Sequence, residues 1–180
     1  LEVLPEEELS PARRWLSAGC AAGADPALES VWSGLSPVLI TQGFIARSPD
    51  GRTALLGRGG SDTSAALLAG RLQAFSLEIW TDVPGLFSAD PRLIPGARLL
   101  AEVEYAEALE MAASGARVVH PRCIRAAAET STPLWVRDVN RPDVTGTRIG
   151  GAATLGSGIK TVTCQEGMAV MLLQNLDARR

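Results

Sequence analysis

Leu56-Gly57-Arg58-Gly59-Gly60-Ser61-Asp62-Thr63 is the stretch on which the reading of the fold turns. Just before it, residues 53–57 (Thr-Ala-Leu-Leu-Gly) read as a strand. Just after it, residues 62–72 set Ala65, Leu68, Ala69 and Leu72 on one helical face. A strand, a glycine-rich turn and a helix in succession present backbone amides and a helix dipole to an anion. Gly59 and Gly60 permit positive φ and close approach. Ser61 and Asp62 are N-cap residue types, so the helix is expected to start on them. Arg58 adds a planar fork of donors suited to a carboxylate or a phosphate. Asp62 in an anion site calls for a cationic companion, Mg2+ or a lysine, that comes with the ligand.

Working outward, residues 38–46 (Val-Leu-Ile-Thr-Gln-Gly-Phe-Ile-Ala) form a continuous apolar run, as expected of a strand buried on both faces. Ser48-Pro49-Asp50-Gly51 is a turn, and the chain returns through residues 53–57, so the pair reads as a β-hairpin. The first third reads as helical. Ser10-Pro11 and Asp25-Pro26 are start signals, Gly19 and Gly34 are stops, and Trp15, Leu16, Leu28, Val31 and Trp32 supply apolar faces for a core. Downstream, residues 77–81 read as a strand, 83–98 as a loop, 105–114 and 121–129 as helices, and 134–139 as a further strand. Strand–helix–strand alternation is the grammar of an α/β layer fold with a mostly parallel sheet flanked by helices. After Gly150 a small, uncharged stretch, residues 151–159, reads as a linker; residues 160–165 and 168–176 read as two short strands opening a second, truncated unit.

Two further segments carry chemical potential. Trp80-Thr81-Asp82-Val83-Pro84-Gly85-Leu86-Phe87-Ser88-Ala89-Asp90-Pro91-Arg92 starts at the carboxyl end of a strand, where open α/β sheets bind ligands. Thr81 and Asp82 can hydrogen-bond a sugar or base, Phe87 offers a stacking face, and Arg92 can reach phosphates. Ser114-Gly115-Ala116-Arg117-Val118-Val119-His120-Pro121 holds the sole histidine, which before a proline reads as an N-cap. With one histidine, read as a cap, neither a histidine-based metal cluster nor a Ser-His-Asp triad is expected.

Composition narrows the class. The chain has 180 residues, a net charge of −3, 46% hydrophobic and 21% charged residues, an ordinary globular balance. There is no basic block of the kind that nucleic-acid binders use, no apolar run long enough for a membrane span, and no visible signal peptide. Cys20, Cys123 and Cys164, odd in number and without C-x-x-C spacing, read as thiols in a reducing cytoplasm. Lys160 is the only lysine against sixteen arginines, so no G-x-x-x-x-G-K-[ST] loop exists, and the glycines also lack the G-x-G-x-x-G spacing of dinucleotide folds.

In this order and at these intervals, residues 38–150 resemble the aspartate kinases of the amino acid kinase family. The resemblance rests on Thr-Gln-Gly-Phe-Ile, Leu-Gly-Arg-Gly-Gly-Ser-Asp, Trp-Thr-Asp-Val-x-Gly followed by Asp-Pro-Arg, and Gly-Ala-Arg-Val-Val-His-Pro-Arg. Residues from Lys160 onward look like the first strand of an ACT regulatory domain, and the whole resembles the bifunctional bacterial form fused to diaminopimelate decarboxylase. The resemblance implies the carboxy-terminal part of the amino acid kinase fold, divided into a helical segment (1–37), a nucleotide- and aspartate-binding part (38–150), a linker (151–159) and the start of an ACT domain (160–180). It implies phosphoryl transfer from Mg·ATP to the β-carboxylate of L-aspartate, with Mg2+ brought by ATP and no metal ligands assigned. By the same resemblance Asp62 and Gly59 are catalytic, Asp62 ordering the phosphates and a lysine. Arg58, Gly60 and Ser61 bind the substrate carboxylate; Thr81, Asp82, Phe87, Arg92, Arg117 and Val118 line the nucleotide pocket.

It further implies a cytoplasmic homo-oligomer in full length, feedback by lysine or threonine at the ACT domain, and no nucleic-acid or membrane partner. Phe87 and Arg117 stand where the family usually has tyrosine and lysine. The family's Lys-Phe-Gly-Gly-Thr segment is absent from this sequence, so the chain alone is expected to be inactive. Two other readings stay open: a different carboxylate kinase of the same fold, and a non-catalytic nucleotide or amino acid sensing module.

Overall fold

The computed structural model describes residues 1–4, 15–16, 18–116, 118–151 and 159–164. Among them four helices and six strands follow the order α1 (Pro26–Ser33), β1 (Ile45–Arg47), β2 (Thr53–Leu55), α2 (Gly60–Arg71), β3 (Leu77–Thr81), β4 (Glu102–Glu104), α3 (Tyr105–Ala113), α4 (Pro121–Glu129), β5 (Leu134–Asp138) and β6 (Thr147–Gly150). Four strands form one sheet in the order β3-β5-β6-β4. β3 runs parallel to β5, β6 antiparallel to β5, and β4 parallel to β6, so two of the three ladders are parallel. This is the expected α/β class.

The core is built where apolar residues alternate inward along β3 and β5: Leu77, Ile79, Leu134 and Val136 are buried, with Val103 and Ile149 beside them. α2 and α4 lie close because their facing residues are small. A Cβ on Gly70 would come within 2.7 Å of Thr130 Cγ2, and Ala66, Ala69, Ala126, Ala127 and Cys123 are buried nearby. Pro26 and Pro121 open α1 and α4 after the side-chain caps Asp25, which accepts the Leu28 N–H at 3.1 Å, and His120. Among the described residues no helix is long and apolar enough to cross a membrane.

Several expectations fail. Residues 38–44 belong to no strand, and Val38 and Ile40 are 73% and 96% exposed, so the doubly buried strand is not there. Burial of such a run needs layers on both faces, and no strand among the described residues pairs with it. The hairpin survives only as Ile45–Arg47 against Thr53–Leu55. The first third is not uniformly helical: Glu2 bridges Arg47 and Leu4 bridges Gly19, so Gly19 ends no helix. Gly34 does cap α1, but α1 buries no residue, and Val31 is exposed instead of supplying core. β4 and β6 were not foreseen. The Ser10-Pro11 start, residues 152–158 of the linker and the strand at 168–176 lie outside the described residues. Residues 160–164 carry no strand; among the described residues their one backbone–backbone hydrogen bond runs from the Val162 N–H to the Ser88 C=O.

Candidate active site

Thr81 and Asp138 stand side by side, in parallel register, at the carboxyl edge of the sheet. Beyond Thr81 the chain turns through a loop fixed from beneath by Thr147 of β6. Thr147 accepts the Leu86 N–H at 2.9 Å and donates to the Leu100 carbonyl at 2.6 Å. Gly85 has a φ of +147°, and a Cβ there would meet Thr147 Oγ1 at 2.2 Å, so only glycine lets the loop pass so near. Asp90 closes the next turn by accepting the Arg92 N–H at 2.9 Å. Thr81, Asp82, Phe87, Arg92 and Val118 come together around one cleft of about 370 Å³, the size at which small-molecule sites begin. Five of the six residues expected at a nucleotide are therefore gathered; Arg117 lies outside the described residues.

The glycine loop precedes α2. Gly59, not Ser61 or Asp62, is the N-cap: its φ is +65°, and its carbonyl takes the Thr63 N–H at 2.9 Å and the Thr63 hydroxyl at 2.8 Å. Ser61 and Asp62 fall inside the first turn, so the cap lies two residues before the first of them. A side chain is excluded at the cap because a Cβ on Gly59 would lie 2.3 Å from His120 Cβ. Gly60 is equally confined, its Cβ position 2.6 Å from Phe44 Cδ2. Arg58 and Ser61 are exposed and Asp62 half-buried, so the stretch that opens α2 offers a donor fork, a hydroxyl and a carboxylate together with first-turn amides that have no intrahelical partner.

The electrostatics of this group are set by burial. Burial pushes the Asp62 carboxyl above its ordinary value, with His120 pulling the other way. Burial, then Arg122, then Arg58 hold His120 below its usual value against the pull of Asp62. His120 Nδ1 accepts the Arg122 N–H at 3.3 Å, which is the cap expected of it. Cys123 below is pushed up to about 12 by burial and by Asp62, and is no nucleophile at neutral pH.

Three features were missed. Arg122 donates to the Leu56 carbonyl and, at 2.6 Å, to the Ala18 carbonyl, pinning the entry to the glycine loop. Thr147 lay in a segment with no strand signal. Thr161 to Cys164, read from the sequence as the first strand of a second unit, line the cleft. The two candidate sites are joined by one short segment: Gly115, Ala116 and Val118 line the cleft, while His120 lies against Gly59. Among the described residues no group of three or more His, Cys, Asp or Glu side chains could hold a metal ion. Asp82 and Asp90 are the carboxylates that line the cleft, a donor type that Mg2+ takes alongside phosphate oxygens.

Residues 26–138 match the amino acid kinase family. The chain is 46% identical over 112 residues to lysine-sensitive aspartokinase 3 of Escherichia coli, covering 62% of this chain and 25% of that one. It is 41% identical over 134 residues to the bifunctional aspartokinase/homoserine dehydrogenase of Haemophilus influenzae, covering 74% and 16%. Among solved structures it resembles E. coli aspartokinase III in complex with aspartate and ADP, with a TM-score of 0.67 and 38% identity over 78% of this chain and 32% of that one. The same enzyme with lysine and aspartate gives 0.65 and 38%, over 79% and 32%. The chain spans a quarter or less of the length of the first three curated relatives it matches. Shared sequence from α1 to β5, on a sheet and helices shared with solved members, has one reading: the chain belongs to the amino acid kinase family.

Proposed function

We propose that this chain is the nucleotide- and aspartate-binding part of an aspartate kinase, which moves the γ-phosphate of ATP to the β-carboxylate of L-aspartate. The observation that carries the reading is the cleft at the end of β3, with Thr81, Asp82, Phe87, Arg92 and Val118 around it and residues 115–120 leading from it to the glycine loop. The aspartate and ADP held by the solved E. coli relative support the pairing of ligands.

The residues present suit this chemistry. A carboxylate acceptor, with a reference pKa of about 3.9, is ionised at neutral pH and needs no general base. His120, its Nδ1 engaged and its protonation disfavoured, is a cap and not a base. What the protein must do is hold two anions together and offset their charge. Arg58 grips the substrate carboxylate beside Gly60 and Ser61. Gly59 keeps the loop close, and the half-buried Asp62 orders the phosphate end. Thr81 and Asp82 take the sugar, Phe87 the base, and Arg92 with Arg117 the phosphates, Val118 closing the wall. Mg2+ bound with ATP would offset phosphate charge, and Asp90 is the cleft carboxylate left to help hold it. Residues 160–180 are the opening of an ACT domain in this reading, and the lysine held by the E. coli relative supports an end-product ligand there.

The test is the thermal midpoint of the chain with and without Mg·ATP, repeated for Arg92→Ala. Ligand at ~100 times its dissociation constant adds about 2.7 kcal/mol, a shift of several degrees. A shift that Arg92→Ala diminishes supports the cleft assignment; no shift counts against it. The full-length protein is expected to yield aspartyl hydroxamate from aspartate, ATP and hydroxylamine. A chain without the Lys-Phe-Gly-Gly-Thr segment is expected to bind nucleotide without sustained turnover.

A further inference from the structure

One wall of the cleft comes from a part of the chain that carries no motif. Residues 159–164 form an irregular strap laid over the loop that supplies Phe87. Thr161 Oγ1 donates to the Phe87 carbonyl at 3.1 Å, and the Val162 N–H donates to the Ser88 carbonyl at 2.9 Å. The strap also bounds a second, larger cavity of about 820 Å³ against β4 and α3. Ile159 and Lys160 line only that cavity, Val162 and Cys164 only the cleft, and Thr161 and Thr163 both. The strap is thus a partition one chain thick.

Apolar burial does not hold it, because Ile159 and Val162 are 91% and 62% exposed. Two half-exposed hydrogen bonds, each traded against water, are a weak fastening. The remaining tie is ionic. Lys160 Nζ donates to Glu107 Oε1 on the first turn of α3, and both side chains are half-buried, at 23% and 31% exposed. Glu107 is itself held in place, since its Oε2 accepts the Glu104 N–H at 3.2 Å as half of a capping box. One carboxylate therefore fastens the helix start with one oxygen and the strap with the other. The ammonium holds Glu107 below the usual carboxylate range, so the pair stays charged at neutral pH.

We infer that Lys160, the only lysine of the chain, is a positioning residue for the nucleotide cleft: through Glu107 it fixes the 159–164 strap against Phe87 and Ser88 and so sets the wall that nucleotide meets. The inference rests on the nucleotide reading above. It touches no substrate; it acts through the strap.

The experiment compares backbone hydrogen exchange and Mg·ATP affinity in the whole chain and in Lys160→Gln, Lys160→Arg and Glu107→Gln. Glutamine at 107 keeps one acceptor oxygen for the capping box and loses the charge and the second oxygen that Lys160 uses, so it separates the cap from the anchor. Both glutamine variants are expected to speed exchange at the Val162 amide and to raise the Mg·ATP dissociation constant roughly two- to fivefold, the reach of one partly exposed ion pair. Lys160→Arg is expected to restore both, and exchange in α2 and β5 to stay as in the parent chain. Val162 exchange indifferent to Lys160→Gln would overturn the anchor. Faster exchange with unchanged affinity would overturn the positioning role. A parent chain that binds no Mg·ATP, yet whose Val162 exchange depends on Lys160, overturns the nucleotide reading and the positioning role with it, while the anchor stands.

Discussion

Two apolar runs in this chain have much the same composition and opposite fates. Residues 134–138 (Leu-Trp-Val-Arg-Asp) form β5, hydrogen-bonded to β3 on one side and β6 on the other, with Leu134 and Val136 fully buried. Residues 38–42 (Val-Leu-Ile-Thr-Gln) are the more apolar stretch, yet they form no strand and leave Ile40 almost wholly exposed. The difference is supplied by neighbours. β-propensity measures how well a side chain fits a half-buried pleated surface, and without that surface it has nothing to act on.

The comparison is sharpest where a side chain is removed. Leu134→Ala should cost about 2–5 kcal/mol in denaturant unfolding, the range for a buried leucine. Ile40→Ala should stay within about 0.5 kcal/mol, as at other surface positions. A large loss at Ile40 would show that the run packs against something.

Gly59→Ala comes next. A left-handed non-glycine residue costs about 1–3 kcal/mol, and overlap with His120 adds to that, read as a lowered thermal midpoint. Thr147→Val removes the partner of a buried N–H and a carbonyl and should cost about 1–3 kcal/mol. If the loop after β3 forms the nucleotide cleft, this substitution also weakens Mg·ATP binding, whereas Leu134→Ala at matched stability should do so less.

The smallest effect is pH-dependent. A His120 pKa held below 6.5 means the folded chain binds fewer protons than the unfolded one between its folded value and 6.5. Stability should therefore fall as pH drops through that window, and His120→Asn, a cap that does not titrate, should flatten the slope in unfolding titrations at several pH values. An unchanged slope would mean that His120 takes up its proton equally in the folded and the unfolded chain.

Much of the molecule was legible because its signals are local. Pro121 after His120, the alternation of Leu77, Ile79 and Thr81, and the Asp25-Pro26 start mark α4, β3 and α1 within a residue or two. The cleft was legible because a strand's carboxyl end and the glycines after it show where an α/β sheet binds ligands. What failed depends on distance. Glu102–Glu104 and Thr147–Gly150 carry too few apolar residues to announce strands; they are strands because β5 and each other lie alongside. Gly146 was the available clue to β6: its φ is +85°, and a Cβ there would lie 2.1 Å from the Val136 carbonyl. In Gly59-Gly60-Ser61-Asp62 the cap residue types Ser61 and Asp62 draw the eye, but the left-handed turn at Gly59, with a φ of +65°, is what begins the helix. The strap at 159–164 meets a loop more than seventy residues earlier, beyond any local pattern.

The contact between Gly59 and His120 has a consequence for how this site can vary. The space for a methyl group at position 59 is already filled by the β-carbon of position 120. Because that β-carbon belongs to every residue but glycine, exchanging the side chain at 120 leaves the overlap in place, and the left-handed φ of position 59 would favour glycine even if it were relieved. A library that randomises positions 59 and 120 together should therefore return glycine at 59 almost as often as one that randomises the loop alone.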